Sequence, residues 1–507
     1  MESATLNPPR REHGLPARLR AVPAQTWARA AFALLCAGAI VGYLVYPTYP
    51  NYDSAYSLLW GRELVDGTLP SFDAYRAPTE HPLAVLVGAV LAPLGDAAPR
   101  IWLALTVAAF CGLVAGVYRL GRVAFTPWVG AIAALLVLSR LDYPFLAARG
   151  YVDIPYLALV AWAGALEAAR PRRGGAVWVL LALAGLLRPE AWILAGAYWV
   201  WCAVGTRPPG EPVALRRRRA LRTAAYAAVA PVLWALGDLV ATGDPAFSIH
   251  HTSSLAADLQ RTRPASEAPS LLVHALANIL KLPVLLGALL GVGLALTFAR
   301  RRAGVPLALT ASGVATFGAI AVAGLSVIDR YLAITALGLL VFAGFAMAGF
   351  TVLPAGHPAR RPWIAAAILV ALGGAGFTAT HLHPGYIDRE LKTRRLLRQE
   401  LARLVHTPAF AVARRCGPVT VPNHKLIPDT RWLLHADADE VIARSSLPGS
   451  GRATKGVAIF VSGKDMLANP TYGPFVPSVH DDPLIQVPGT NARIIDRTPH
   501  FAVYATC

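Results

Sequence analysis

Long apolar tracts, separated by short polar segments, run through most of the chain from about residue 27 to residue 380. A helix needs about 20 apolar residues to cross a bilayer, and most of these tracts approach or exceed that length. The pattern predicts an all-α polytopic membrane domain of about eleven transmembrane helices. Their predicted bounds are 27–46, 100–118, 126–139, 153–169, 175–187, 190–204, 221–241, 271–298, 304–325, 330–352 and 363–380.

One apolar stretch, residues 81–94, is short and has a proline near each end. Apolar stretches of about 10–14 residues commonly lie in the membrane interface or re-enter the bilayer. If this stretch crossed the membrane, every later basic cluster would face the opposite side. We therefore predict an interfacial or re-entrant helix within a long first external loop, residues 47–99.

The composition excludes a water-soluble globule. Hydrophobic residues make up 55% of the 507 residues, charged residues only 15%, and the mean hydropathy is +0.48, whereas soluble domains carry roughly a quarter charged residues. The net charge of +18 does not predict nucleic-acid binding, because the arginines are concentrated in short loops between apolar tracts, as in cytoplasmic loops of membrane proteins. The predicted cytoplasmic clusters are Arg119/Arg122, Arg170/Arg172/Arg173, Arg207 with Arg216 to Arg219 and Arg222, Arg300 to Arg302, and Arg360/Arg361.

The N-terminal segment resembles a signal peptide only superficially. Its apolar run ends in Tyr-Pro-Thr-Tyr-Pro, residues 46–50, and not in a small-residue cleavage site. We therefore expect residues 1–26 to form a basic cytoplasmic tail and the run to form an uncleaved first span. With eleven spans in residues 27–380, the remainder of the chain, residues 381–507, would lie outside the cytoplasm at the cell membrane.

The C-terminal segment predicts a small extracytoplasmic α/β domain. Residues 389–413 read as one basic amphipathic helix, which either lies against anionic lipid head groups or presents a solvated basic face. Its predicted apolar face consists of Leu391, Leu396, Leu397, Leu401 and Leu404. Three runs with β propensity follow, at Val419–Val421, Val457–Val461 and Phe501–Ala505.

The cysteines divide between the two parts of the chain. Three lie in predicted spans, while Cys416 and Cys507 lie in the predicted external domain, where an oxidising compartment permits a disulfide. We predict that the strands beside these two cysteines are neighbours and that a disulfide joins them; a free terminal thiol is the alternative. No CxxC or HExxH motif occurs in the sequence, so a divalent metal or other cofactor is not expected.

Asp53 is the most informative charged residue of the first loop, a few residues beyond the first predicted span. It could be a solvated loop residue that caps the following helix. Alternatively, a carboxylate between membrane and water can deprotonate a hydroxyl acceptor next to a lipid-borne donor.

Further charges open or join spans on the same predicted side. Each alone could be an interfacial anchor; together, arginines and carboxylates at one depth suggest a site for an anionic head group, since arginine donates hydrogen bonds to phosphate in pairs. These charges lie in the stretches Glu80-His81, Arg149 to Asp153, Arg188-Pro-Glu190 and Arg330-Tyr331.

The order of these motifs resembles that of the GT-C superfamily. Its members are multispan glycosyltransferases that use polyprenyl-phosphate sugars, among them protein mannosyltransferases, aminoarabinose transferases and actinobacterial mannosyl- and arabinosyltransferases. The resemblance covers roughly residues 30–350 and implies a GT-C-like fold. It departs from the family pattern in three places: only one proline follows Glu80-His81, none follows Arg330-Tyr331, and Ser54 stands where a second acid often follows Asp53.

The resemblance implies a role for each matching residue. Asp53 would be the general base, with Glu80, His81, Asp153 and Glu190 supporting the acceptor site. The donor phosphate would meet Arg330, with Arg188 and Arg149 as further contacts. Since Ser54 replaces a second acid, a lipid monophosphate donor that needs no divalent cation fits better than a metal-bridged pyrophosphate.

These expectations combine into one function. The chain would be an inverting glycosyltransferase that moves a sugar from a polyprenyl-phosphate donor to a hydroxyl of a glycan, lipid or protein acceptor. A transporter or flippase of lipid-linked saccharides is the alternative. It would need polar or charged residues at mid-bilayer depth, and the predicted spans contain few: Asp238 and Lys281 lie within apolar tracts, but near their external ends. A catalytically inactive GT-C-like scaffold is a further alternative.

Overall fold

The computed structural model describes residues 24–205, 212–259, 261–325, 328–381, 384–446, 455–462 and 491–506. The helices are α1 (Ala24–Val45), α2 (Tyr52–Val65), α3 (Pro82–Leu91), α4 (Ala98–Ala124), α5 (Pro127–Ser139), α6 (Asp142–Ala148), α7 (Asp153–Ala169), α8 (Ala176–Gly185), α9 (Glu190–Gly205), α10 (Val213–Thr242), α11 (Phe247–Asp258), α12 (Ala268–Leu280), α13 (Leu282–Phe298), α14 (Gly304–Val322), α15 (Ala333–Ala348), α16 (Arg360–His381), α17 (Pro384–Val405), α18 (Pro408–Arg414) and α19 (Ile427–Leu434). The strands are β1 (Val419–Val421), β2 (Val441–Ala443), β3 (Val457–Val461), β4 (Arg493–Arg497) and β5 (Phe501–Ala505).

A membrane domain of apolar helices is confirmed, but the predicted number of eleven spans is not. Six segments of the described residues are long and apolar enough to cross a membrane, or up to eight if each of two bent helix pairs forms one span. Some predicted spans are too short: α8 has ten residues and, at 1.5 Å per residue, covers about half of a ~30 Å hydrocarbon core.

The predicted span 271–298 is not one straight helix. Its two halves, α12 and α13, meet at 106°. Lys281 lies between them with φ of 63°, outside the right-handed helical region. A proline at the start of α13 adds a residue that cannot donate to the preceding turn. The apolar tract is therefore a broken helix and not a simple crossing.

Helix α15 forms the centre of the membrane domain, because 14 of its 16 residues are buried. Helices α5, α13 and α14 pack around it. A methyl group placed on Gly291 of α13 would lie 1.9 Å from the Phe342 carbonyl oxygen. Glycine at this crossing therefore lets the two backbones touch, as is common between membrane helices.

The first loop folds into two crossed helices, α2 and α3. Helix α3 has ten residues and lies within residues 81–94, the stretch predicted to form an interfacial or re-entrant helix. Its placement at the membrane interface remains a prediction. A methyl group on Gly61 of α2 would lie 2.2 Å from the Ala89 nitrogen, and one on Gly88 would lie 2.3 Å from the Ser57 oxygen. This close crossing fixes α2, the helix that carries Asp53, against the membrane domain.

The C-terminal segment contains a five-stranded sheet with the order β2-β1-β3-β5-β4. Strand β1 runs parallel to β2 and β3, while β5 is antiparallel to β3 and β4. The three predicted strands are confirmed with the same bounds, whereas β2, β4 and helix α19 were not predicted. A small α/β region at the C-terminus is therefore confirmed.

The prediction that β1 and β5 are neighbours is wrong. Strand β3 lies between them, and its Val457 pairs with Val419 on one side and with Ala505 on the other. Cys507 lies outside the described residues, so the disulfide between Cys416 and Cys507 remains a prediction.

The predicted helix 389–413 is two helices, because α17 ends at Val405 and Thr407 caps α18 by accepting a hydrogen bond from the Phe410 nitrogen. Leu396 is 44% exposed, so its predicted place on the apolar face is wrong. The other predicted leucines are buried, and three of them share a core with the sheet and with α2; its members include Leu397, Leu401, Leu404, Tyr56, Leu59, Trp60, Val419, Val457 and Phe501. The C-terminal α/β region thus packs directly on the helix that carries Asp53.

Candidate active site

Backbone hydrogen bonds place Asp53 at the start of α2. The Asn51 side chain caps the helix by accepting from the Ser54 nitrogen at 2.9 Å. The Asn51 nitrogen donates to the Arg149 carbonyl at 2.8 Å, and the Ser54 hydroxyl donates to the Gly150 carbonyl at 2.5 Å. These bonds hold the first turn of α2 against the loop that precedes α7, which begins with Asp153.

Arg330 lies between two carboxylates that the sequence separates by a hundred residues. Its Nη1 atom is 3.6 Å from an oxygen of Asp53 and 3.6 Å from an oxygen of Asp153. Arg330 and Asp53 are partly exposed, at 35% and 22% of their side chains, while Asp153 is buried. The structure therefore brings the predicted base and the predicted phosphate contact together at an accessible point.

Arg188 and Glu190 extend this arrangement into the protein. Arg188 lies 3.4 Å from Asp153, and its Nε donates to Glu190 at 3.1 Å. Both residues are buried, and Arg188 already has two carboxylate partners. We call this series of neighbouring charged side chains the floor network; its members are Asp53, Arg330, Asp153, Arg188 and Glu190. Arg188 holds Asp153 in position, and because it is buried and paired it is less suited than Arg330 to contact the donor phosphate.

A cavity of about 330 Å³ opens above the floor network, between the membrane domain and the C-terminal α/β region. Among the described residues, its lining contains seven cationic side chains and two carboxylates, which predicts a preference for anionic ligands. The cationic residues are Arg76, Arg149, Arg261, Arg330, Arg394, Arg398 and Lys425, and the acidic ones are Asp53 and Asp429.

Arg149, a predicted phosphate contact, lines this cavity within a cage of aromatic rings. Its guanidinium carbon lies 4.8 Å from the ring centre of Phe145, 5.0 Å from that of Tyr151 and 5.8 Å from that of Tyr49. Its buried Nε makes no hydrogen bond within the described residues. The rings orient the cation without neutralising it, which leaves its charge available to a ligand.

Glu80 belongs to a different cluster from the one expected. It accepts from the Trp234 indole at 2.9 Å and contacts the Ser248 hydroxyl, which also donates to Asp238 at 2.6 Å. Burial, together with the hydrogen bond and charge of Asp238, raises the pKa of Glu80 to about 8. Glu80 is therefore placed to join the first loop to α10 and α11, and it is not among the residues that line the cavity.

His81, the residue before α3, is also buried. Burial, followed by the nearby Arg188 charge, lowers the pKa of His81 to about 4, so the ring is neutral at physiological pH. Its ring centre lies 6.1 Å from that of Trp234. The structure thus places His81 between the floor network and the Glu80 cluster.

A second buried ion pair connects the two parts of the chain. Arg431 of α19 donates to Glu63 of α2 at 2.5 Å and to the Ser71 hydroxyl at 3.0 Å. Arg62 donates to the carbonyl oxygens of Arg431 and Trp432 at 3.2 Å and 3.1 Å. We call this group the docking clamp, because it fixes the C-terminal α/β region to α2.

Sequence reasoning missed the cavity wall that faces the floor network. Arg394 and Arg398 were assigned to lipid contact or to solvent, yet both line the cavity from α17. Their four-residue spacing among buried leucines indicates one helix face next to the core. His424, a buried ring on the cavity wall, was also missed, and no pattern in the sequence distinguishes it from a loop residue.

The described ranges contain no group of three or more His, Cys, Asp and Glu residues arranged to hold a metal ion. The expectation that the site uses no cofactor remains a prediction.

Comparisons with known proteins give structural matches only: neither a family model nor a curated protein sequence matches the chain. ArnT from Cupriavidus metallidurans in the apo state matches with a TM-score of 0.53 and 16% identity, over 95% of this chain and 98% of that chain. The Archaeoglobus fulgidus oligosaccharyltransferase in the apo form matches with a TM-score of 0.50 and 10% identity, over 82% of this chain and 64% of that chain.

The same oligosaccharyltransferase, tethered to an acceptor peptide containing the NVT sequon, matches with a TM-score of 0.50 and 12% identity, over 95% of this chain and 74% of that chain. ArnT and the oligosaccharyltransferase are both GT-C superfamily glycosyltransferases. The match to ArnT spans nearly the whole of both chains, including the C-terminal α/β region. The chain is a multi-pass membrane protein with the GT-C fold.

Proposed function

We propose that this protein is an inverting glycosyltransferase, which transfers a sugar from a polyprenyl-phosphate donor to an acceptor hydroxyl at the extracytoplasmic face of the cell membrane. The observation that carries the proposal is the position of Arg330, at 3.6 Å from both Asp53 and Asp153, on the floor of a cationic cavity. A carboxylate beside an arginine supplies the two groups that such a transfer needs: a base for the acceptor and a positive charge for the phosphate.

Asp53 is the catalytic residue in this proposal. Its carboxylate takes the proton of the acceptor hydroxyl while the hydroxyl oxygen attacks C1 of the sugar. The bond between C1 and the phosphate oxygen breaks, and the phosphate leaves with the electron pair. Because attack and departure occur on opposite faces of C1, the anomeric configuration inverts.

Arg330 and Arg149 bind the donor phosphate. Negative charge grows on the leaving oxygen as the bond breaks, and a fixed cation stabilises the transition state more than the ground state. The Arg330 side chain is 35% exposed at the cavity, and its buried Nη1 atom makes no hydrogen bond in the described part of the chain, so the protein does not use up the donor capacity of this guanidinium. Asp153 and Arg188 are positioning residues that hold Arg330 in place.

Transfer by the purified protein tests the proposal. The protein in lipid nanodiscs is incubated with a panel of radiolabelled polyprenyl-phosphate sugars and candidate acceptors, and product is measured together with its anomeric configuration. We expect transfer from one donor class, with inversion, and loss of transfer in Asp53→Asn. Donor binding without transfer by the wild-type protein would favour a scaffold. Movement of a fluorescent lipid-linked saccharide across proteoliposome membranes, with no transfer, would favour a transporter.

A further inference from the structure

The cavity has two cationic walls, and the second combines residues of the C-terminal α/β region with one that precedes that region in the chain. Arg330 and Arg149 lie on the membrane-domain side, beside Asp53. On the other side, His424 and Lys425 lie in the short 3₁₀ segment after β1, and Arg261 lies in the segment after α11. A donor with one phosphate accounts for the first wall and leaves the second without a ligand.

The neighbouring arginines of the second wall already have carboxylate partners. Arg76 lies 3.6 Å from Asp258, and Arg398 lies 3.7 Å from Asp429. Arg261 is exposed and has no ion pair among the described residues. Arg261 therefore contributes a positive charge to the second wall that no carboxylate of the described residues balances.

His424 is a neutral polar group within this positive environment. Burial, followed by the charges of Arg76, Lys425 and Arg261, lowers the pKa of His424 to about 3. The side chain is 5% exposed, and its buried Nδ1 has no hydrogen-bond partner in the described part of the chain. A buried nitrogen without a partner is uncommon in proteins, and as an N–H it would donate to an anion.

The second wall lies beside the proposed base. The His424 ring packs edge-on against Tyr52, with ring centres 5.6 Å apart, and Tyr52 immediately precedes Asp53 on the first turn of α2. His424 and Asp53 both line the cavity, so a group held at His424 shares the cavity with the residue that would deprotonate the acceptor.

We propose that His424, Lys425 and Arg261 form a second anion subsite, which binds a phosphate or carboxylate group carried by the acceptor and so presents the acceptor hydroxyl to Asp53. The claim that the bound molecule is the acceptor rests on the proposed function. The claim that the subsite binds an anionic saccharide does not depend on that function. The acceptor would accordingly be an acidic or phosphorylated glycan or glycolipid, and not a neutral one.

Binding measurements with the full-length protein in nanodiscs test the subsite. The probes are a trisaccharide carrying a 6-phosphate, the corresponding uronic-acid trisaccharide, the neutral trisaccharide, and a C55 polyprenyl phosphate. We expect the two acidic saccharides to bind and the neutral one to bind at least tenfold more weakly, since a charge-assisted hydrogen bond contributes about a factor of ten or more. The stronger acidic probe identifies the anion as phosphate or carboxylate.

A pair of variants separates the two walls. Arg261→Gln/Lys425→Gln should weaken the acidic saccharides roughly tenfold or more and leave polyprenyl phosphate unchanged, whereas Arg149→Gln should do the reverse. Equal binding of neutral and acidic saccharides, or loss of both ligand types in the same variant, would overturn the proposal. If acidic saccharides bind as expected but polyprenyl phosphate does not, the subsite stands and the proposed donor fails.

Discussion

Two arginine–carboxylate groups meet on helix α2, and they differ in how completely they are satisfied. In the docking clamp, all three donor nitrogens of Arg431 make hydrogen bonds, to Glu63 at 2.5 Å, to Ser71 at 3.0 Å and to the Ala436 carbonyl at 3.3 Å. In the floor network, Arg330 stands 3.6 Å from its two carboxylates, a distance too long for a hydrogen bond.

The difference separates a structural pair from a site that can accept a ligand. Arg431 is 1% exposed, so its hydrogen bonds form when the protein folds and are shielded from ligands. Arg330 is 35% exposed at a cavity, and it retains unmet hydrogen-bonding capacity in the described part of the chain. The clamp should therefore govern stability, and the floor network should govern chemistry.

Breaking the clamp should give the largest effect. Arg431→Met leaves Glu63 as a buried carboxylate without its partner, and removal of one member of a buried pair typically costs about 3–5 kcal/mol. We expect lower thermal stability and easier proteolytic release of the C-terminal α/β region, measured on detergent-solubilised protein. Arg431→Met combined with Glu63→Gln should recover part of the loss. If both variants matched the wild type, the clamp would have no role in docking.

Asp53→Asn should have the opposite profile, with stability retained and sugar transfer lowered by about 10²-fold or more, as expected when a general base is removed. The matched control is Asp153→Asn, which removes a carboxylate from the same arginine but leaves the base, and should reduce transfer less. Transfer rates and melting curves are measured in parallel. Near-wild-type transfer by Asp53→Asn would remove this residue from the mechanism.

Arg330→Gln should weaken use of the donor more than use of the acceptor. A lost charge-assisted hydrogen bond costs about 1.5–3 kcal/mol, which should appear in kcat/KM for the donor while KM for the acceptor changes little. Arg188→Gln is a less direct comparison, because Arg188 acts through buried ion pairs and should also lower stability. Unchanged donor kinetics in Arg330→Gln would place the phosphate elsewhere.

The sequence predicts the floor network better than the cavity above it. Asp53, Asp153, Arg188 and Arg330 lie at ends of apolar tracts, and tract ends on one side of a membrane converge at one depth, so their proximity could be anticipated. The second wall depends on how the C-terminal α/β region docks, which is decided by Trp60, Leu401 and other core contacts between distant parts of the chain. Hydropathy carries no information about that docking.

The number of spans and the place of Glu80 show a further limit of pattern reading. The helix Ala176–Gly185 has the apolar composition of a span but only ten residues, so apolar composition alone does not count the crossings. Glu80 lies in the same first loop as Asp53, but its partner Asp238 comes from α10. Only the three-dimensional packing separates the two acids.

Glu80→Gln should have the smallest effect on sugar transfer, and it gives the sharpest test of whether Glu80 is separate from the floor network. Its folded-state pKa of about 8 lies above the ordinary value of 4.5, so between these values the folded protein binds more protons than the unfolded chain. Stability should therefore fall as pH rises from about 4.5 to 8, by at most about 1.4 kcal/mol per pH unit for one proton, and then level off.

Glu80→Gln keeps a neutral, hydrogen-bonding side chain and should lose most of this slope in melting curves, with little change in sugar transfer at neutral pH. Asp238→Asn removes one cause of the raised pKa but not burial, so its slope should be intermediate. An unchanged slope in Glu80→Gln, or a loss of transfer comparable to that of Asp53→Asn, would return Glu80 to the catalytic group.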